Sequence, residues 1–242
     1  MQTTFSRLMR LLFVAAFLAA ASWICDIGLT QQAVAQERAL AELWPLLGVD
    51  FTDTPLSLPA LFGNDAPCTV EIGFGNGDHL LGRAQREPQR NFLGIEVHPP
   101  GVGRLLLNVQ QQGLRNVRVS RHDAVEVLRT QLAPGSVDEF QILFPDPWHK
   151  KRHHKRRLIE PQFVSLLASR LRPGGRLALA TDWEPYAEQM LQVLGECPEL
   201  ENTAAGDGYA PRPDSRTPTR FERRGLVRGH VVRDLLWQKR RS

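Results

Sequence analysis

The 242 residues have room for one α/β domain with a short appendage, and an apolar share of 42% excludes an intrinsically disordered chain. With 30 Lys and Arg against 26 Asp and Glu, the formal net charge of +4 points weakly to an anionic partner. Cys25, Cys68 and Cys197 are scattered, with neither a zinc spacing nor a disulfide framework, which suits a reducing compartment.

The N-terminus argues the other way. Arg7 and Arg10 precede LLFVAAFLAAASWI, and AVA follows at 33–35, which is the layout of a secretory signal. The apolar run is too short for a comfortable membrane span. LTQQAVAQERALAELWP nevertheless reads as one amphipathic helix with Leu40, Leu43 and Trp44 along a face, and cleavage after Ala35 would cut through it. Three readings stay open: a signal, a membrane-touching tail, or an extension upstream of the working start. Residues 1–27 are therefore read as an atypical leader, 28–66 as a helical arm and 67–242 as the main domain. Membrane contact is expected only if the leader is real.

From Cys68 onward the apolar pattern alternates. CTVEIG, NFLGIEV, NVRVS, FQILF and GRLALAT predict strands, with helices over 78–85, 102–112, 124–132 and 163–171 between them. This alternation predicts an α/β fold: a mainly parallel, Rossmann-like sheet with helices on both faces, and ligands at the carboxyl ends of the strands. VVRDLLWQ near the end is expected to complete the sheet as an antiparallel edge pair. GDGYAPRPDSRTPTR is a loop by its Gly and Pro content, long enough to expect an ordered role.

The strand ends carry the chemistry. VEIGFGNGD places Gly73, Gly75 and Gly77 where the first strand turns into its helix, so backbone can approach a ligand closely. The third glycine of a dinucleotide fingerprint comes one residue early, and the loop has no lysine for a triphosphate. A tight βα turn alone would explain the glycines. The acids favour more: Glu71 precedes them, Glu96 ends the second strand where it can accept ribose hydroxyls, and His122–Asp123 close the third strand within reach of an adenine amino group. That set suits an S-adenosyl nucleoside better than a pyrophosphate.

FPDPWHKKRHHKRR follows the fourth strand. Asp146 between two prolines has little conformational freedom, and its carboxylate can accept the two donors on guanine's pairing edge. Trp148 reads equally as a stacking face or as a core residue under a Pro-rich turn. The cations that follow suit phosphate, whereas those from Arg220 onward (Arg223, Arg224, Arg228, Arg233, Lys239, Arg240, Arg241) read nearly as well as a solvated face.

EIGFGNGD, FLGIEVHPPGVG, RHDAVEVL, FPDPWHKKRHHKRR, LRPGGRLALATDWEPYAEQML and TRFERRG together resemble the bacterial tRNA (guanine-N7-)-methyltransferase family, from about Gly28 to the C-terminus. The resemblance implies a Rossmann-like class I methyltransferase fold and a methyl donor, S-adenosylmethionine, held by Glu71, Glu96, Asp123 and Asp146 beside the glycine loop. It implies substrate contacts at Lys150, Asp182, Thr219, Arg220, Phe221 and Glu222, and tRNA contacts along Arg152, His153, His154, Lys155, Arg156 and Arg157. It implies a guanine in the variable loop of tRNA as target, a cytoplasmic location, no metal and no obligatory protein partner. Guanine N7 carries a lone pair and no proton, so positioning and electrostatics matter more than a general base. Asp146 is then the catalytic group in the sense of orienting guanine and stabilising its developing charge. Two rival readings remain: a non-catalytic RNA-binding protein on the same fold, and a methyltransferase acting on another base, such as N6 of adenine.

Overall fold

The computed structural model describes residues 34–216, 222 and 231–241. The described helix α1 covers 34–47, with Ala39 and Leu43 buried and Trp44 half-buried, so the amphipathic face expected there docks on the domain. The possible leader lies outside the described residues. Among those described, no helix is long and apolar enough to cross a membrane.

Beyond α1 the elements run β1 (Gly48–Val49), α2 (Leu58–Phe62), β2 (Cys68–Ile72), α3 (Asp78–Arg86), β3 (Asn91–Ile95), α4 (Pro99–Gln111) and β4 (Val117–Ser120). Then come α5 (Ala124–Glu126), passing into a π-turn at Val127–Gln131, β5 (Val137–Leu143), a 3₁₀ helix at Lys151–Arg156, and α6 (Pro161–Arg170). The chain closes with β6 (Leu171–Thr181), α7 (Glu184–Gly195), β7 (Leu200–Asn202) and β8 (Arg233–Lys239).

The strands make one sheet in the order β1-β4-β3-β2-β5-β6-β8-β7. Pairings from β1 to β6 are parallel, and β8 runs antiparallel to both β6 and β7. The antiparallel direction of β8 is as the sequence predicts, and β8 with β7 forms the C-terminal edge pair. Two further strands, β1 and β7, are only two and three residues long and form the outer edges; β1 makes the N-terminal arm part of the sheet. The order reverses beside β2, which puts the crevice for a ligand above β2 and its neighbours.

Apolar side chains pack on both faces. Val70, Ile72, Leu93, Phe140 and Ile142 meet α6 and α7 on one side. Phe92, Val117 and Val119 meet α1, α3 and α4 on the other. The second face also carries a polar layer beneath α3. There Arg83 directs Nε and Nη2 to Glu87 (2.7 and 2.8 Å) and Nη1 and Nη2 to Glu139 (2.8 and 3.2 Å). A buried guanidinium is tolerated because its donors are met.

The helix expected over 124–132 is α-helical for only one turn. Leu132 N–H reaches back to Val127 O, a π-type bond, and Arg170 caps the end by donating to the Leu128 and Arg129 carbonyls. The fourth strand starts at Val137, earlier than expected, and stops before Phe144, whose φ of +54° turns the chain out of the sheet.

Candidate active site

Four strand ends converge. After β2 the backbone takes positive φ at Gly73, Gly75 and Gly77, a conformation that side chains resist, and α4 closes against it. A Cβ on Gly101 would stand 2.1 Å from the Gly75 carbonyl oxygen, so α4 approaches the loop this closely only as glycine.

Glu96 follows β3. Its Oε2 accepts from Gly75 N at 2.9 Å, and its Oε1 accepts from Val97 N and His98 N at 2.8 and 3.0 Å. The carboxylate thus ties the glycine loop to the end of β3 and keeps further lone pairs for a ligand. Asp123, after β4, is the N-cap of α5 and accepts from Val125 N and Glu126 N through Oδ1. His122 stacks on Phe51, with ring centroids 3.8 Å apart and planes at 12°, and its Nε2 pairs with Glu126. Gly73, Glu96, His122, Asp123, Val125 and Leu158 line one cavity of about 200 Å³. Phe51 is a neighbour of this site that sequence reasoning missed, because it belongs to the arm and joins only through tertiary pairing.

Glu71 and Asp146 do not line that cavity. Glu71 is 3% exposed and faces α3, where its Oε2 lies 2.9 Å from His79 Nδ1. Asp146 is exposed on the turn after β5. That turn is strained at both ends, since Phe144 (φ +54°) and Trp148 (φ +43°) flank Pro145-Asp146-Pro147 in the left-handed region. Among the described residues no Lys or Arg pairs with Glu71, Glu96, Asp123 or Asp146. Glu96 and Asp123 line the cavity with no Lys or Arg partner among the described residues, which favours a ligand that brings positive charge.

The basic run folds as the 3₁₀ helix, leaving Lys150, Lys151, Arg152, Lys155 and Arg156 exposed and His153 and His154 half-buried. None of these five cations is paired with an acid among the described residues. Trp148 belongs to this surface and not to the core: Arg156 Cζ stands 5.0 Å from its ring centroid, and His153 meets it edge-on at 5.9 Å. Arg157, expected as a phosphate contact, is set apart from these exposed cations. It is 4% exposed, donates to Pro147 O at 2.8 Å and to Gln189, and lies over the Tyr186 ring at 4.6 Å. The physical reason is that Leu158 and Ile159 dock in the core behind it and draw it inside. Arg157 is thus a staple that holds the Asp146 turn.

Asp182 is half-buried just past β6, and Glu222 is 2% exposed in a cluster with Arg216 and Asp234. Thr219, Arg220 and Phe221 lie outside the described residues. Three of the C-terminal cations are drawn into ion pairs: Arg233 with Glu184, Lys239 with Glu199 and Arg240 with Glu201. Their charge is spent on neighbouring acids, which favours a solvated, fold-stabilising face over a phosphate site.

An open α/β sheet with a glycine turn after β2, acids after β3 and β4, and a further acid on the β5 turn defines a nucleoside-dependent transferase of the class I methyltransferase type. A family described as "Putative methyltransferase" matches residues 65–235. The chain is 57% identical over 201 residues to a tRNA (guanine-N(7)-)-methyltransferase of Leifsonia xyli subsp. xyli, covering 83% of this chain and 88% of that protein. It is 56% identical over 205 residues to one of Paraburkholderia xenovorans, covering 85% and 78%. The crystal structure of 16S rRNA methyltransferase KamB superposes with a TM-score of 0.55 at 17% identity, over 77% of this chain and 95% of that one, and so shares the fold. The chain belongs to the tRNA (guanine-N(7)-)-methyltransferase family.

Proposed function

We propose that this chain transfers a methyl group from S-adenosylmethionine to N7 of a guanine in the variable loop of tRNA, within the cytoplasm. The observation that carries the reading is the set of acids at the ends of β3, β4 and β5, without a Lys or Arg partner among the described residues, beside a cation-rich 3₁₀ helix. One group of charges suits a cationic nucleoside, the other a polyanion.

The residues present fit the donor. The cavity is smaller than the roughly 300–1,000 Å³ of a whole-ligand pocket, and it suits the adenosine end alone. Glu96 is placed to accept ribose hydroxyls, and Asp123 has Oδ2 left for the adenine amino group. The Phe51–His122 stack closes the same end. Glu71 lies deeper, beside the glycine turn, where a carboxylate favours an ammonium. S-adenosylmethionine supplies a methyl carbon activated by a sulfonium charge.

Asp146, held by its two prolines and by the Arg157 staple, is placed to accept from guanine N1–H and N2–H. N7 attacks with its own lone pair, so no residue must remove a proton first. With the donor bound, a new N7–C bond would replace the donor's C–S bond, the thioether would leave neutral, and the positive charge would pass to the purine ring. Asp146 stabilises that charge through a field fixed before reaction. Lys150, Lys151, Arg152, Lys155 and Arg156 hold tRNA phosphates, which fix register while the pocket reads the base. The intact acids disfavour a non-catalytic RNA binder on this fold.

Isothermal calorimetry with S-adenosylmethionine tests the donor half. Glu96→Ala should lose hydrogen bonds worth about 1–3 kcal/mol, a weakening of roughly 5- to 150-fold. Unchanged affinity would remove Glu96 from the donor site.

A further inference from the structure

Arg216 lies outside every position assigned above to donor, base or phosphate, yet it is 4% exposed and joins three separate parts of the molecule. Its Nη1 donates to Glu222 Oε2 at 2.7 Å and its Nη2 to Glu222 Oε1 at 3.0 Å, a two-pronged fork onto one carboxylate. Nη2 also donates to Asp234 Oδ2 at 3.0 Å, and Nε lies 2.6 Å from Asp234 Oδ1. The same guanidinium covers the Phe144 ring, with Cζ 5.8 Å from the centroid.

These contacts have a geometric meaning. Asp234 is on β8, fixed to β6 by antiparallel pairing. Phe144 is the left-handed residue that turns β5 into Pro145-Asp146-Pro147. Glu222 belongs to the C-terminal segment read above as contacting the substrate. Arg86 on α3 anchors the strand of loop leading to Arg216 by donating to Ser215 O at 3.0 Å. Arg212, 3.8 Å from Glu222 Oε1, adds a second cation to the cluster. A cation needed only to neutralise Asp234 would require neither the fork onto Glu222 nor the Phe144 contact.

We propose that Arg216 is a positioning residue for methyl transfer: by forking Glu222 while covering Phe144, it fixes the spacing between Glu222 and the Asp146 turn that holds the guanine. The inference rests on the guanine-N7 reading above. It requires the planar fork and not charge alone, because a lysine ammonium cannot place two parallel bonds on one carboxylate and lie flat on a ring as well.

The test is Arg216→Lys beside the parent, followed by single-turnover methylation at saturating tRNA and donor, calorimetry with S-adenosylmethionine, filter binding of tRNA and thermal unfolding. The parent must form 7-methylguanosine; if it does not, the functional reading fails rather than this one. The lysine variant is expected to lose roughly ten- to a hundredfold in single-turnover rate, with donor and tRNA affinities at parental values. A parental rate would overturn the proposal and leave the cluster as a fold stabiliser. Losses in rate, donor affinity and stability that move together would overturn it as well. Should the lysine variant not fold, Phe144→Leu decides, since it removes the ring while keeping both ion pairs. A slower rate at unchanged donor affinity supports the proposal, and a parental rate refutes it.

Discussion

Asp146→Asn is expected to lower the single-turnover methylation rate by roughly 10²- to 10³-fold, the scale for loss of one fixed electrostatic group at a reacting centre. Affinity for tRNA and donor should stay near parental. The substitution keeps shape, so the Pro145–Pro147 turn and the Arg157 bond to Pro147 O survive. It replaces one acceptor oxygen by an amide that faces guanine's own donors, and it removes the negative charge that answers the cation forming on the ring. Because Asp146 is exposed and carries no ion pair among the described residues, little folding stability depends on it. A parental rate in this variant would place the base elsewhere.

The second large effect concerns the 3₁₀ helix. Replacing Lys151, Arg152, Lys155 and Arg156 by glutamine should weaken tRNA binding strongly and leave donor affinity unchanged. The slope of log K against log salt should flatten by about 0.7–0.9 for each phosphate no longer neutralised, up to about 3.6 for four. Arg157→Met separates this from a structural effect. Arg157 is buried against Pro147, Gln189 and Tyr186, so its loss should lower thermal stability without changing the salt slope. A filter-binding salt series on both proteins checks this. An unchanged slope in the four-site variant would make the helix a merely solvated loop.

Much of this architecture was legible in the residues. The β2 to β6 strands announce themselves by apolar runs between glycine turns and helices, and the acids stand at the strand ends because that is where a parallel sheet opens. Asp123 is also readable as a helix cap, with Glu126 three residues on. Other parts were not legible, for physical reasons. β1 and β7 are too short to carry a pattern and exist only through pairing with β4 and β8. Phe51 meets His122 only once β1 is in the sheet. Arg157 ends a run of cations and so reads as exposed; the signal against this is Leu158-Ile159, an apolar pair that must go inside and takes the guanidinium with it. Arg216 looks like one more loop arginine, and its role follows from Asp234 and Phe144, which no spacing brings together.

N7 of guanine is the atom methylated. Nucleoside mass spectrometry tests it on unmodified tRNA incubated with this protein and isotope-labelled S-adenosylmethionine, beside the same tRNA carrying 7-deazaguanosine in its variable loop. Label is expected in 7-methylguanosine alone for the first RNA, and none for the second although it binds as tightly. Label in any other nucleoside, or transfer to the 7-deazaguanosine tRNA, would contradict it.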